Sequence, residues 1–200
     1  IRRQRQMCIR DRNNTDFLCV LGTTAETPTL TEEEKKKIKK MVIERVNGRI
    51  PILLGVGGNN TRAIVETLKN DDFTGVDAIL SVVPYYNKPS QEGIYQHYKA
   101  ISEATDLPIV LYNVPGRTGV NMKAETTLRI ARDFKNVIAV KEASGDITQM
   151  DDIIKNKPAN FDVISGDDGI TFPLITLGAV GIISVIGNAF PREFLSLIHI

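Results

Sequence analysis

Lys141 closes an apolar run, Val137-Ile138-Ala139-Val140, and is followed at once by Glu142-Ala143-Ser144-Gly145-Asp146. An amine at the inner end of a buried strand is desolvated, which disfavours its ammonium form and leaves a nucleophile near neutral pH. Such an amine forms a Schiff base with a carbonyl substrate. Taken alone, the commoner arrangement is a strand-end lysine that snorkels to water. The neighbouring motifs argue for the chemical reading.

Tyr112 ends another apolar run, Ile109–Tyr112, and Asn113-Val114-Pro115-Gly116-Arg117-Thr118-Gly119 follows it. Carbanion chemistry on an imine needs a proton shuttle, and a phenol relays protons when its hydroxyl sits in a hydrogen-bonded chain. Thr23 and Tyr86 can complete that chain. Arg117 stands in a Pro/Gly loop where its planar fork suits a carboxylate. Thr24, with nearby backbone amides, can hold a second one. Asp167-Asp168 lack the histidine or third acid that a metal site would need, so no metal is expected. His97, mid-helix, and His199, near the end, read as structural or irrelevant.

These residues need a frame that brings strand ends together. Strands are expected over Phe17–Leu21, Ile52–Leu54, Ala78–Val83, Ile109–Tyr112, Val137–Lys141, Asp162–Ser165 and Gly181–Val185. Their apolar runs are continuous, as in strands covered on both faces. Helices lie between them. Thr31-Glu32-Glu33-Glu34 reads as a capping box ahead of Ile38, Met41, Val42 and Val46, with Gly48 as the stop. Ser90 caps a helix carrying Ile94, Tyr98 and Ile101, and 123–134 and 147–156 are further helices. Gly55-Val56-Gly57-Gly58-Asn59-Asn60 lacks the spacing of a nucleotide-binding turn. Polar residues instead follow nearly every strand, including Asn59-Asn60, Tyr85-Tyr86-Asn87 and Asn188. Functional groups converging from many strand C-termini indicate a (β/α)8 barrel. Only seven strands are visible, so the expected architecture is a barrel without its first βα unit, the missing strand preceding Asp16.

Composition agrees with an ordinary globular domain. The 200 residues are 42% hydrophobic and 24% charged with net charge +1, which gives no electrostatic case for nucleic acid or an anionic membrane. No apolar run is long enough to span a bilayer, Cys8 and Cys19 make neither metal-ligand spacing nor a disulfide framework, and a cytoplasmic setting is expected. Residues 1–12 (IRRQRQMCIRDR) and the tail 195–200 resemble translated adaptor sequence and are read as foreign, leaving 13–194 as the catalytic domain.

The set GTTAETPTL (Gly22–Leu30), VVPYYNKPSQEG (Val82–Gly93), LYNVPGRTG (Leu111–Gly119), VKEASGD (Val140–Asp146) and SGDD (Ser165–Asp168) resembles the dihydrodipicolinate synthase (4-hydroxy-tetrahydrodipicolinate synthase) family of the pyruvate-dependent class I aldolases and lyases. The resemblance runs from about Asp16 to about Phe194. It implies a TIM barrel, lacking here its first βα unit and C-terminal helices, in which Lys141 forms a Schiff base with pyruvate. Tyr112 would be the acid/base, linked through Thr23 to Tyr86, which in this family enters a neighbouring subunit's site. Thr24 and the backbone of Ile183 would contact pyruvate, Arg117 the carboxylate of L-aspartate 4-semialdehyde, and Gly166 and Asp167 the site mouth. The resemblance further implies a homotetramer, no cofactor beyond the imine itself, and a lyase of lysine and diaminopimelate biosynthesis. N-Acetylneuraminate lyase and the sugar-acid aldolases share the lysine and tyrosine but do not need Arg117. The other alternative is an inactive fragment.

Two departures stand out. Ala25-Glu26-Thr27 replaces the family's commoner Gly-Glu-Ser. Ala63 and Lys35 occupy positions where lysine-sensitive members carry an acid and often a histidine, so feedback inhibition of that kind is not expected.

Overall fold

The structure, a computed structural model, describes residues 15–198. Its frame is a seven-stranded parallel sheet in sequence order: β1 (Leu18–Val20), β2 (Ile52–Gly55), β3 (Ala78–Val82), β4 (Ile109–Asn113), β5 (Val137–Glu142), β6 (Asp162–Ser165) and β7 (Gly181–Ile182). Parallel neighbours need crossovers, and helices supply them. These are α1 (Glu32–Val46), α2 (Thr61–Asn70), α3 (Gln91–Ser102), the short α4 (Pro115–Thr118), α5 (Ala124–Asp133), α6 (Ile147–Asn156) and α7 (Thr171–Leu177), and α8 (Pro191–Ile198) follows β7. None of the described helices is long and apolar enough to cross a membrane.

Alternation along each strand creates two apolar layers. Ile79, Ile109, Leu111, Val137 and Val140 face the helices and pack with Ile94, Ile101, Leu128, Ile130 and Ile153. Leu53, Leu80, Val110, Tyr112 and Ala139 face the other way and form one cluster with Phe17, Ile164 and Ile183. Residues from β1 through the β7 end thus meet on one concave face, so the sheet is curled.

Local signals set the helix ends. Thr31 Oγ1 accepts from the Glu34 amide at 3.2 Å while the Glu34 carboxylate accepts from the Thr31 amide at 2.9 Å, the expected capping box. Ser90 and Asp146 cap α3 and α6 from one side only, accepting from the Gly93 and Gln149 amides. The stop of α1 differs by one residue from expectation, because Asn47 itself takes the left-handed conformation (φ 49°) ahead of Gly48.

Other expectations need correction. Asn60, read only as a polar residue after a strand, caps α2 by accepting from the Ala63 amide. Helices α4, α7 and α8 have no counterpart among the expected elements. The expected strand Gly181–Val185 is cut to two residues. Beyond Ile183, whose amide still donates to Ser165 O, the amides of Val185 and Ile186 turn to the Asp168 carboxylate instead of a neighbouring strand. Among the described residues, β1 pairs only with β2 and β7 only with β6. The stretch 1–12, Cys8, His199 and the site of the expected upstream strand lie outside the described residues. Residues 195–198 belong to α8.

Candidate active site

The strand register builds the centre. Val82, Tyr112, Lys141 and Ile164 lie in one row across β3 to β6. Tyr112 belongs to the concave cluster, and Lys141, its register partner, shares that face. Both are nearly closed off, Lys141 at 8% and Tyr112 at 5% exposure. The Lys141 Nζ stands 4.1 Å from the Tyr112 ring centroid. The lysine therefore does not snorkel to water.

Gly166 explains where the lysine stem lies. A Cβ at this position would fall 3.1 Å from Lys141 Cε and 2.8 Å from Ala143 Cβ. Only a bare backbone leaves room, and the Gly166 amide is fixed by donating to Glu142 O at 2.8 Å.

Lys141, Thr23, Thr24 and Ile183 border a cavity of about 580 Å³ that occupies the gap between β1 and β7 and is also lined by Phe17, Met41 and Phe194. The threonines are delivered by a sharp exit from β1. Leu21 adopts φ 56°, Thr23–Ala25 form a 3-10 turn, and Thr27 Oγ1 donates to the carbonyls of Leu21 (2.9 Å) and Gly22 (3.1 Å). The Ala25-Glu26-Thr27 variant thus keeps the hydroxyl that closes this turn. Gly55 lies so near the Leu21 carbonyl that a Cβ would come within 2.0 Å of it.

Tyr86 and Arg117 sit apart from this cavity. Tyr86 is 87% exposed with φ 71°, and its amide donates to Thr118 O, next to Arg117 on α4. Arg117 is exposed as well. Among the described residues no hydrogen bond joins the hydroxyls of Tyr112, Thr23 and Tyr86. The relay expected to draw Tyr86 from a neighbouring subunit is thus not tested within one chain, in which Tyr86 is exposed.

Asp167 caps the turn after β6 by accepting from the Gly169 amide at 2.9 Å. Asp168 has a job that sequence reasoning missed: its Oδ2 accepts from the amides of Val185 (3.1 Å) and Ile186 (3.0 Å), tethering the loop that carries Ile183. No cluster of three or more metal-ligating acids, histidines or cysteines occurs among the described residues. His97 is structural: it is 3% exposed, with Nδ1 2.8 Å from Thr61 Oγ1.

The second missed feature lies behind the lysine. Asn113 and Glu142 are register partners facing the helices, both 0% exposed, and hydrogen-bonded to each other at 3.1 Å. Strand alternation carries the signal, since the residue after an inward lysine must point outward into the helical layer.

A model of the Dihydrodipicolinate synthetase family matches residues 9–200. The chain belongs to the dihydrodipicolinate synthetase family. Within that family it is 87% identical over 183 residues to the 4-hydroxy-tetrahydrodipicolinate synthase of Phocaeicola vulgatus, covering 92% of this chain and 62% of the relative. The dihydrodipicolinate synthase structure from Thermotoga maritima superposes with a TM-score of 0.94 at 46% identity, over 97% of this chain and 67% of that one. A chloride-inhibited synthase from Acinetobacter baumannii, solved with pyruvate, gives a TM-score of 0.92 at 42% identity over 98% of this chain and 68% of that one. This member of the family thus spans about 62% of the length of the Phocaeicola relative.

Proposed function

We propose that this chain carries the site of a 4-hydroxy-tetrahydrodipicolinate synthase, joining pyruvate to L-aspartate 4-semialdehyde. The carrying observation is Lys141, an amine shielded on the concave face with its Nζ 4.1 Å from the Tyr112 ring. Family membership and the pyruvate complex of the Acinetobacter relative support this substrate.

The Lys141 amine attacks the keto carbon of pyruvate, and loss of water gives the imine. Tyr112 relays the proton lost from the methyl group, leaving an enamine. Its carbon attacks the aldehyde while Arg117 holds the carboxylate of that substrate, and the alkoxide takes up a proton. The substrate amino group then attacks the imine carbon, expels the Lys141 amine and closes the ring. One water leaves for each pair of substrates joined. Thr24 and the backbone at Ile183 hold the pyruvate carboxylate, and Gly166 and Asp167 line the mouth. The protonated imine is the electron sink, so the scheme requires neither metal nor organic cofactor.

The same reading places the seven strands in a (β/α)8 barrel whose remaining strand fits between β1 and β7, followed by further C-terminal helices. It places the protein in the cytoplasm as a homotetramer, in which exposed Tyr86 reaches a neighbouring subunit and completes the relay with Thr23 and Tyr112. With Ala63 and Lys35 at the positions noted above, lysine does not inhibit by that route. Val180, Val185, Ile186 and Phe190 are all about half exposed or more around the β7 edge. They support a second expectation: expressed alone, the 200 residues are poorly soluble and inactive.

The test uses a full-length form, in which this chain is extended at both ends to the relatives' length. Borohydride with pyruvate should add the mass of a reduced pyruvate adduct at Lys141, and no adduct there refutes the reading. Turnover of N-acetylneuraminate without turnover of aspartate semialdehyde would move the chain to the lyase branch.

A further inference from the structure

Glu142 is a buried carboxylate for which the mechanism has no use. It is 0% exposed, and among the described residues no lysine or arginine pairs with it. Burial pushes its carboxyl above the ordinary glutamate range, against the hydrogen bonds from Asn113, Ser144 and Gln149 that favour the charged form. Such a group is costly in a fold unless the surrounding donors need it.

Those donors come from three different pieces of chain. Oε1 accepts from the Ser144 amide at 2.8 Å, on the segment that leaves β5. Both carboxylate oxygens lie 3.1 Å from Asn113 Nδ2 on β4, and Oε2 lies 3.3 Å from Gln149 Nε2 on α6. Asn113 also reaches the loop before α5, donating to Asn121 Oδ1 at 2.8 Å and accepting from the Met122 amide at 3.0 Å. Asn121 closes the ring by donating to Gln149 Oε1 at 2.8 Å. On the opposite face of the same two strands, one residue earlier in each, stand Tyr112 and Lys141.

We propose that Glu142 is a positioning residue, clamping β4 to β5 from the helix side so that Lys141 and Tyr112 are held at reacting distance on the other side. This rests on the reading of Lys141 as the imine-forming amine. Any relative slip of the two strand ends moves the amine against the phenol. The clamp sits directly behind that pair, the Glu142 carboxylate on β5 accepting from Asn113 on β4. Glutamine at 142 would keep the shape but aim an amide N–H at the Asn113, Ser144 or Gln149 donors, a local conflict that loosens the strand ends.

The experiment compares the full-length form with its Glu142→Gln and Gln149→Met variants. The readout is the rate of pyruvate imine formation at saturating pyruvate, followed by borohydride quench and mass analysis, beside the cooperativity of thermal unfolding. Glu142→Gln should unfold cooperatively yet form the imine about tenfold more slowly, with half-saturation by pyruvate changed less than about twofold. A merely structural glutamate would lower the melting temperature and leave the rate of the folded protein unchanged, which overturns the proposal. If Glu142→Gln does not fold, Gln149→Met decides: it removes one donor to the carboxylate, and the rate should fall about threefold. An unchanged rate in that variant overturns the clamp. Failure of the unsubstituted protein to form any imine refutes the Lys141 reading instead, so the two failures are distinct.

Discussion

Lys141 Nζ lies 4.1 Å from the centre of the Tyr112 ring, and the two residues are register partners on adjacent strands. The ring face therefore supports the amine, and in the proposed mechanism its hydroxyl relays the proton. Tyr112→Phe separates these functions. The variant should still be trapped by borohydride with pyruvate, while turnover falls about a hundredfold or more, the usual scale for losing a general acid/base. Tyr112→Ala should lose trapping efficiency as well. Equal trapping and turnover losses in Tyr112→Phe would remove the acid/base role.

Gly166→Ala tests the packing under the lysine. The added methyl would meet Ala143 Cβ at 2.8 Å and Lys141 Cε at 3.1 Å. Overpacking of this kind costs about 1–3 kcal/mol, and here part of the strain is relieved by displacing the lysine stem. Thermal unfolding should report lower stability and the borohydride assay a slower imine. A normal imine rate would show that Lys141 does not depend on this contact.

Asp168→Ala cuts the tether of the loop after β7. Two amides, Val185 and Ile186, lose their acceptor, and each hydrogen bond to a charged group is worth about 1.5–3 kcal/mol before water replaces it. Both amides end near solvent, so the expected stability loss is at the low end. The loop carries Ile183, so KM for pyruvate should rise about fivefold with a smaller change in kcat. A change in kcat alone would contradict the assignment of this loop to pyruvate binding.

His97 predicts an acid-dependent loss of stability. Burial lowers its pKa from 6.5 to about 4, and its Nε2 has no hydrogen-bond partner. The unfolded chain thus binds a proton between these values that the folded chain refuses. Stability falls as pH drops from about 6.5 towards 4, by at most about 3 kcal/mol for this one group. Buried Glu142, whose carboxyl is raised, works in the opposite sense. The comparison is therefore between the parent and His97→Asn: urea midpoints measured at pH 7 and pH 5 should differ less in the variant. Equal differences would clear His97 of the effect.

The β-strand cores were legible in the sequence because strands covered on both faces are plain apolar runs, and six of the seven came within a residue or two of their bounds. β7 failed because Val185, although apolar, finds its partner in the Asp168 carboxylate and not in a strand. Periodicity shows on which face a side chain lies but not what meets it there. So Lys141 and Tyr112 could be placed at strand ends, while the contact between them needed the register. Asn60 was misread for a related reason, since a polar residue after a strand serves equally as a site group or a helix cap. Alternation places Glu142 and Asn113 on the helix side, but nothing in the sequence announces which donors meet a carboxylate that has no cation. Tyr86 could be singled out, but its outward turn depends on a left-handed backbone that no neighbouring glycine announces.

The order of the sheet bears on how the protein is made. Each strand pairs with the next one in the chain, from Leu18 with Ile52 to Ile164 with Gly181. Every such pairing joins strands that are consecutive in the chain and lets them add one after another as synthesis proceeds. β5 has partners on both sides as soon as β6 is complete. The strand of Lys141 is therefore fixed early, whereas β7 joins last among the described strands, so a nascent chain holds Lys141 in place before the walls around it are finished.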